Sequence, residues 1–191
     1  MLRIIADSTC DISKEDARKM GIQIVPISVR FGDEEFLDGV EITHEEFYTR
    51  LAECDELPKT SQPSPDTFMK VFNEAVAAGD DVLGIFISSD LSGTYQSACL
   101  AALDVEEETG KKLYMVDSRS ASIGTALLIR EAVKLRDAGV NVSDIAAACT
   151  EIGKTRGKKA AEKLMHDKLI KDGLSLTRDF MFGHINCSES L

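Results

Sequence analysis

Short apolar runs alternate with amphipathic segments of helical length along the first 150 residues. The apolar runs predict strands at Leu2–Ala6, Ile22–Phe31, Val82–Ser88 and Lys112–Val116. Between and after them, helices are predicted by glycines at the end and by capping residues at the start, such as Thr43 with Glu46 and Ser64 with Pro65. The predicted helices cover residues 14–20, 44–53, 66–78, 93–109, 120–138 and 143–152. Strands separated by helices of this length are typical of a parallel sheet covered on both faces.

This alternation predicts an α/β fold over residues 1–152, in which helices cover both faces of the sheet. The pattern stops at Gly153. The residues that follow predict one basic helical stretch, a strand at Leu174–Leu176 and a terminal Gly-His-Ile-Asn-Cys segment. We therefore divide the chain into residues 1–152 and residues 153–191.

Composition predicts a folded cytoplasmic protein without stable membrane insertion. Apolar residues make up 43% of the 191 residues, which is enough for a packed core. No apolar run approaches the ~18 residues of a membrane span, and the first residues lack a signal-peptide pattern. The five cysteines are scattered without metal-ligand spacing, so we predict reduced thiols and no structural zinc.

Charge is unevenly distributed in this acidic chain. The formal net charge is −11, yet eight basic residues face only three acidic ones between Lys154 and Arg178. An acidic body disfavours nonspecific binding to nucleic acid. The basic stretch also lacks the Tyr and Trp side chains that stack on bases. We predict no nucleic-acid partner and interpret the basic stretch as a solvated helix face.

Two segments are rich in hydroxyl side chains, Lys59–Pro65 and Ser88–Ala98. The second lies between a predicted strand and a predicted helix, where backbone N–H groups and hydroxyls suit a carboxylate or phosphate. Helix capping by Ser64 and Ser92 is the alternative, but it accounts for one hydroxyl in each segment. The hydroxyls left over are those of Thr60, Ser61, Ser88, Ser89 and Thr94. They favour an anion site at the rim of the sheet.

Catalytic and metal motifs are weaker. Gly153-Lys154-Thr155 fails as a phosphate loop, because Ala148 stands where that motif requires glycine. No Gly-x-Ser-x-Gly elbow occurs, and among the three histidines only His184 follows an apolar run that could place it at a strand end. The acidic clusters at residues 33–35 and 106–108 match no metal-binding motif, so we predict no metal site.

Six ordered motifs resemble the bacterial DegV family. They are Asp7-Ser8-Thr9, Val25-Pro26-Ile27-Ser28-Val29, Asp38-Gly39-Val40, Lys59-Thr60-Ser61-Gln62-Pro63-Ser64, Ser88-Ser89-x-Leu91-Ser92-Gly93-Thr94-Tyr95 and Asp117-Ser118-x-Ser120-Ala121-Ser122. The resemblance implies a three-layer αβα sandwich around a parallel sheet, followed by a two-layer α/β second domain. It also implies a non-enzymatic protein that needs no cofactor and binds a long-chain fatty acid such as palmitate or oleate. The fatty acid would be presented to a separate fatty acid kinase, whose acyl phosphate product feeds phospholipid synthesis.

The resemblance also implies residue roles. Thr60 and Ser92 would hydrogen-bond the fatty acid carboxylate, assisted by backbone N–H groups of the Ser92-Gly93 turn. His184 is the counterpart of a histidine that the family places near the carboxylate. Possible supporting residues are Ser61, Ser89 and Thr94.

Compared with the family, this chain has a shortened second domain. Residues 153–160 resemble a stretch late in the family's second domain, so residues 153–191 are interpreted as a remnant of that lipid-binding domain. We expect the apolar surface left uncovered to favour self-association. Two alternatives stay open: a truncated paralogue that no longer binds lipid, and a small α/β enzyme acting on a phosphorylated metabolite. In the enzyme, Asp7, Asp117 or His184 would be catalytic.

Overall fold

The computed structural model describes residues 1–154. Its strands are β1 (Leu2–Asp7), β2 (Ile22–Val25), β3 (Ser28–Phe31), β4 (Glu34–Leu37), β5 (Lys59–Ser61), β6 (Asp81–Phe86) and β7 (Tyr114–Asp117). Its helices are α1 (Lys14–Met20), α2 (His44–Glu53), α3 (Pro65–Ala77), α4 (Thr94–Thr109), α5 (Ile123–Asp137) and α6 (residues 142–154). The predicted strand at Leu174–Leu176 and the basic stretch after Lys154 lie outside the described residues.

The main sheet is parallel, as predicted. Within residues 1–154 it has four strands in the order β2-β1-β6-β7. The register pairs Ile4 of β1 with Ile22 on one side and Leu83 on the other, and Leu83 with Tyr114 of β7. Because all four strands run the same way, their carboxyl ends meet at one rim.

Helices cover both faces of this sheet, which confirms the three-layer αβα arrangement. Ile4 faces a core built with α1, α5 and α6, including Ile129 and Ile145. Ile5, the next residue, faces the opposite core, where α3 and α4 contribute Phe72 and Val105. Successive side chains of a strand point to opposite faces, so a strand buried on both sides reads as one continuous apolar run. Each such buried side chain contributes about 1.5–3 kcal/mol to stability.

The single strand predicted at Ile22–Phe31 is wrong, because it is two strands in two sheets. Pro26 and Ile27 separate β2 from β3. Pro26 lacks a backbone N–H and so cannot donate a ladder hydrogen bond at its position. The chain therefore leaves the parallel sheet there and enters a small antiparallel sheet of order β4-β3-β5. The third strand, β5, lies in the hydroxyl-rich segment Lys59–Pro65, where the sequence pattern predicts no strand.

Helix α2 packs on the small sheet. The rings of Phe31 and Phe47 lie 5.6 Å apart in an edge-to-face contact, and the Arg50 guanidinium lies 4.7 Å above the Phe36 ring. The helix begins with the predicted capping box. Glu46 N–H donates to Thr43 Oγ1 at 3.2 Å, and Thr43 N–H donates to Glu46 Oε2 at 2.8 Å. These contacts hold the small sheet as a unit beside the main one.

Buried thiols make a first testable prediction. Cys10 and Cys149 are inaccessible to solvent, and burial raises the pKa of the Cys10 thiol to about 12 and that of Cys149 to about 11. Because the thiolate is the reactive form, iodoacetamide at pH 8 is expected to leave both unmodified in the native protein and to alkylate both after denaturation. Peptide mass spectrometry checks this. Alkylation of either thiol at its denatured rate in native protein would contradict the burial.

Candidate functional site

The carboxyl rim of the sheet contains the chain reversal that the α/β architecture uses for ligand binding. Asp7 ends β1 and Asp117 ends β7, while the loop after β6 begins at Ile87. After β1 the chain continues to β2 on one side, and after β6 it continues to β7 on the other. Adjacent loops that diverge in this way leave a crevice at the rim. The carboxyl ends of β1, β6 and β7 therefore lie side by side at this crevice.

Asp7 connects the two central strands at this reversal. Its carboxylate is fully buried and accepts hydrogen bonds from the Thr9 N–H at 3.0 Å, the Thr9 hydroxyl and the Ile87 N–H at 2.9 Å. Burial raises the pKa of Asp7, although these hydrogen bonds partly oppose the effect. The carboxylate is thereby used to hold the loop after β1 to the end of β6.

Asp117 performs the same role one strand further. It accepts from the Ser89 hydroxyl at 2.5 Å and from the Ser89 N–H at 3.2 Å. It also pairs with the Arg119 Nε at 3.0 Å, and Arg119 in turn reaches Asp90 at 3.2 Å. The hydroxyl proton of Ser89, a predicted supporting residue, is therefore directed to Asp117. Ser89 shapes the loop after β6 in this structure.

Helix α6 closes against the same rim. Gly153 is buried in the helix, and a Cβ there would lie 3.1 Å from the backbone oxygen of Ser118 and 3.2 Å from that of Asp117. A side chain at this position would separate the helix from the loop, which explains the glycine. Because α6 continues through Gly153 to residue 154, this glycine lies within the helix. The domain boundary after residue 152 stays a prediction.

The turn before α4 presents the second hydroxyl-rich segment. Helix α4 begins at Thr94, and its N-cap residue, Gly93, has no side chain to cap it. Half-buried Ser92 accepts a hydrogen bond from the Thr94 N–H at 3.3 Å, and its hydroxyl lies 2.9 Å from the fully buried Thr94 hydroxyl. The first turn of α4 contains no acidic residue. No residue of that turn therefore offsets the positive end of the helix dipole.

The first hydroxyl-rich segment forms β5 and continues into Gln62. Thr60 pairs with Val29 of β3, and both Thr60 and Ser61 are exposed. The Gln62 side chain crosses to α4, where its Nε2 donates to the Ser97 hydroxyl at 2.9 Å. Its carboxamide also lies directly against Gly93. The structure thus brings the segments of Thr60 and Ser92 into contact, while His184 lies outside the described residues.

Sequence reasoning missed Gln62 and Ser97. Both lie inside the hydroxyl-rich segments, but attention to hydroxyls alone passed over an amide that can donate to one. The Ser64 cap was recognised: its hydroxyl accepts from the Thr67 N–H at 3.2 Å. Ser64 acts as an ordinary helix cap, whereas Gln62 joins the two hydroxyl-rich segments. Only the tertiary contact between Gln62 and Ser97 makes this distinction.

Across residues 1–154, no three His, Cys, Asp or Glu side chains are grouped so that they could hold a metal ion. In the same part of the chain, no helix has both the length and the apolar character needed to cross a membrane.

The fold and the rim together define an α/β protein with hydroxyl-rich loops at the carboxyl edge of a parallel sheet. The chain belongs to the DegV family: the model described as "Uncharacterised protein, DegV family" matches residues 1–173. A DegV domain-containing protein of Clostridium perfringens is 40% identical over 144 residues, covering 75% of this chain and 50% of the relative. Another from Caldanaerobacter subterraneus is 33% identical over 192 residues, covering 100% of this chain and 66% of the relative.

Solved structures give the same relationship. A stearic acid-binding protein of Eubacterium ventriosum superposes with a TM-score of 0.72 at 36% identity, covering 78% of this chain and 52% of that one. DegV of Bacillus subtilis, described as a fatty acid binding protein, has a TM-score of 0.73 at 28% identity, with 81% and 54% covered. The chain spans only about half to two thirds of the length of these relatives.

Proposed function

We propose that this chain binds a long-chain fatty acid, such as palmitate or oleate, by its carboxylate at the junction of β5 and α4. One observation carries the proposal: Gln62 brings the Thr60 strand against the Ser92-Gly93 turn, and the first turn of α4 that follows contains no acidic residue. A carboxylate is stabilised at such a helix end by both the dipole and the available donors. The fatty acids named for the related solved structures support this choice of ligand.

The paired hydroxyls of Ser92 and Thr94 decide which proton is available to the ligand in this proposal. If Thr94 donates to Ser92, the Ser92 hydroxyl keeps its own proton for the ligand. Thr60 would donate from the neighbouring strand, and the Gly93 backbone N–H would assist. Hydrogen bonds to a charged acceptor contribute about 1.5–3 kcal/mol each. Together, the hydroxyls of Ser92 and Thr60 and the Gly93 N–H would orient the head group without a lysine or arginine.

Burial of the acyl chain would supply most of the affinity, at ~0.8 kcal/mol per CH₂ group. Beside the site, Leu91 adjoins Ser92 and is 56% exposed, which offers apolar surface. A cavity lined by Arg30, Leu57 and Lys59 has a volume of about 50 Å³, far below the ~300 Å³ of ordinary ligand pockets. The proposal therefore assigns the remaining wall to residues 155–191, including His184, or to a second copy of the chain.

The proposal includes a partner. A bound carboxylate at a loop-lined rim would be presented to a fatty acid kinase in the cytoplasm, and the kinase would supply the ATP chemistry for phospholipid synthesis. The chain itself would act as a binding protein. The contacts of Asp7 and Asp117 support this over the enzyme alternative, because both carboxylates are used in holding loops together.

Mass spectrometry of the purified full chain tests the proposed function. The native protein is expected to carry an added mass of about one fatty acid, or to acquire it from oleate, and to release it on denaturation. Hydrophobic burial and the carboxylate bonds together predict retention through desalting. A protein that purifies empty and takes up neither oleate nor palmitate would overturn the proposal and favour the truncated, non-binding paralogue.

A further inference from the structure

The Gln62 side chain contacts both α4 and the N-cap residue before it, although these lie about 30 residues further along the chain. Its Nε2 donates to the buried Ser97, one turn inside the helix, at 2.9 Å. The rest of its carboxamide lies on the Cα of Gly93 so closely that a Cβ at Gly93 would overlap Oε1 and lie 2.9 Å from Cδ and Nε2. A single exposed residue thus touches the turn before α4 and the first turn of the helix.

These contacts explain the glycine at position 93. Its backbone dihedrals are φ −75° and ψ 3°, which every L-amino acid can adopt. Glycine is therefore not needed here for a left-handed conformation. What it provides is space, since any side chain would occupy the place of the Gln62 carboxamide. The two residues therefore depend on each other, because Gly93 leaves open the space that the Gln62 carboxamide fills.

We propose that Gln62 is a positioning residue that sets the Thr60 hydroxyl against the Ser92-Gly93 turn, so that both can bind one carboxylate. This inference rests on the proposed function. Along an extended chain, residues two apart share a face, so a fixed Gln62 directs Thr60 toward the same side. Strand β5 has only three residues, all exposed, and pairs with β3 alone among the described strands. The hydrogen bond from Gln62 to Ser97 ties the end of β5 to α4.

The inference predicts a loss that is specific to the carboxylate. Gln62→Ala is expected to weaken palmitate binding about tenfold, the equivalent of one misplaced hydrogen bond, and to leave hexadecanol binding within about twofold. A merely structural role would lower both affinities together. Gln62→Met, which keeps the length but not the donor, is expected to behave like Gln62→Ala. The control is Gln96→Ala, which removes an exposed glutamine from α4.

Gly93→Ala supplies the second arm of the experiment. It is expected to displace the carboxamide and reproduce the tenfold loss, whereas the double variant Gln62→Ala/Gly93→Ala should lose no more than either single one. Competition binding with a fluorescent fatty acid measures all variants in the full chain. Wild-type palmitate affinity in Gln62→Ala or in Gly93→Ala, or losses that multiply to about 100-fold in the double variant, would overturn the inference alone. A wild-type protein that binds palmitate no better than hexadecanol would overturn the carboxylate site and the inference together.

Discussion

Replacing Thr60 and Ser92 together with alanine is expected to lower fatty acid affinity about 100-fold. Each hydroxyl would lose a hydrogen bond to a charged carboxylate, and two such bonds at the low end of ~1.5–3 kcal/mol correspond to two decades in Kd. Calorimetric titration of palmitate into the delipidated full chain measures the effect. The single variants are expected to lose about tenfold each, because each leaves the other hydroxyl in place.

The matched control is Thr49→Ala. This exposed threonine on α2 donates only to the Glu45 carbonyl of its own helix, at 2.9 Å, so its removal should leave palmitate affinity unchanged. Equal thermal midpoints for control and double variant would show that the folded state is intact. Undiminished palmitate affinity in the double variant would rule out the assignment of Thr60 and Ser92.

Asp7→Ala is expected to destabilise the fold by about 2–4 kcal/mol. The change removes the shared acceptor of Thr9 and Ile87, and unpaired buried donors cost about 1–3 kcal/mol each. Urea denaturation followed by circular dichroism measures the loss at neutral pH. Asp104→Ala, which removes an exposed aspartate from α4, should stay within about 0.5 kcal/mol of the parent. If Asp7→Ala were as stable as this control, Asp7 would not be the connection described above.

The loss of stability in Asp7→Ala is also expected to depend on pH. Burial raises the pKa of Asp7 above 3.8, so the folded protein retains this proton where the unfolded chain has released it. The stability that this group contributes is therefore fully present below pH 3.8 and declines as pH rises through the folded pKa. The difference in unfolding free energy between parent and Asp7→Ala should accordingly be larger at pH 3.5 than at pH 7. An increase in that difference with pH would contradict burial as the dominant influence.

Elements whose bounds depend on local chemistry were predicted closely. The Thr43 capping box placed α2 at its observed start, and Ser64 with Pro65 did the same for α3 to within one residue. Capping depends on atoms within three residues, which a sequence displays directly. The strand at Ile22–Phe31 failed for the opposite reason. Its β-branched residues lie on both sides of Pro26, and only the assignment of its halves to two sheets reveals Pro26 as a boundary.

The candidate site divides in the same way. Hydroxyl-rich segments and an anion-suited helix start were visible in the sequence, and family resemblance pointed to Thr60 and Ser92. Two hydroxyls that were candidates for ligand contact have internal partners, Asp117 for Ser89 and Ser92 for Thr94. A hydroxyl can bond a ligand or a neighbour with equal chemistry, so sequence cannot choose between them.

By itself, the sequence determined the α/β class, the helix caps, the double-sided burial of the strands and the hydroxyl-rich rim. These follow from periodicity and from interactions between residues close along the chain. The tertiary structure alone decided that β5 exists, that Asp7 and Asp117 hold loops together, and that Gln62 joins β5 to α4. Each of these depends on contacts between residues far apart in the chain: 80 residues for Asp7 and Ile87, and 35 for Gln62 and Ser97. Such pairs produce no periodic pattern in the sequence, because their proximity comes from the packing of whole helices and strands.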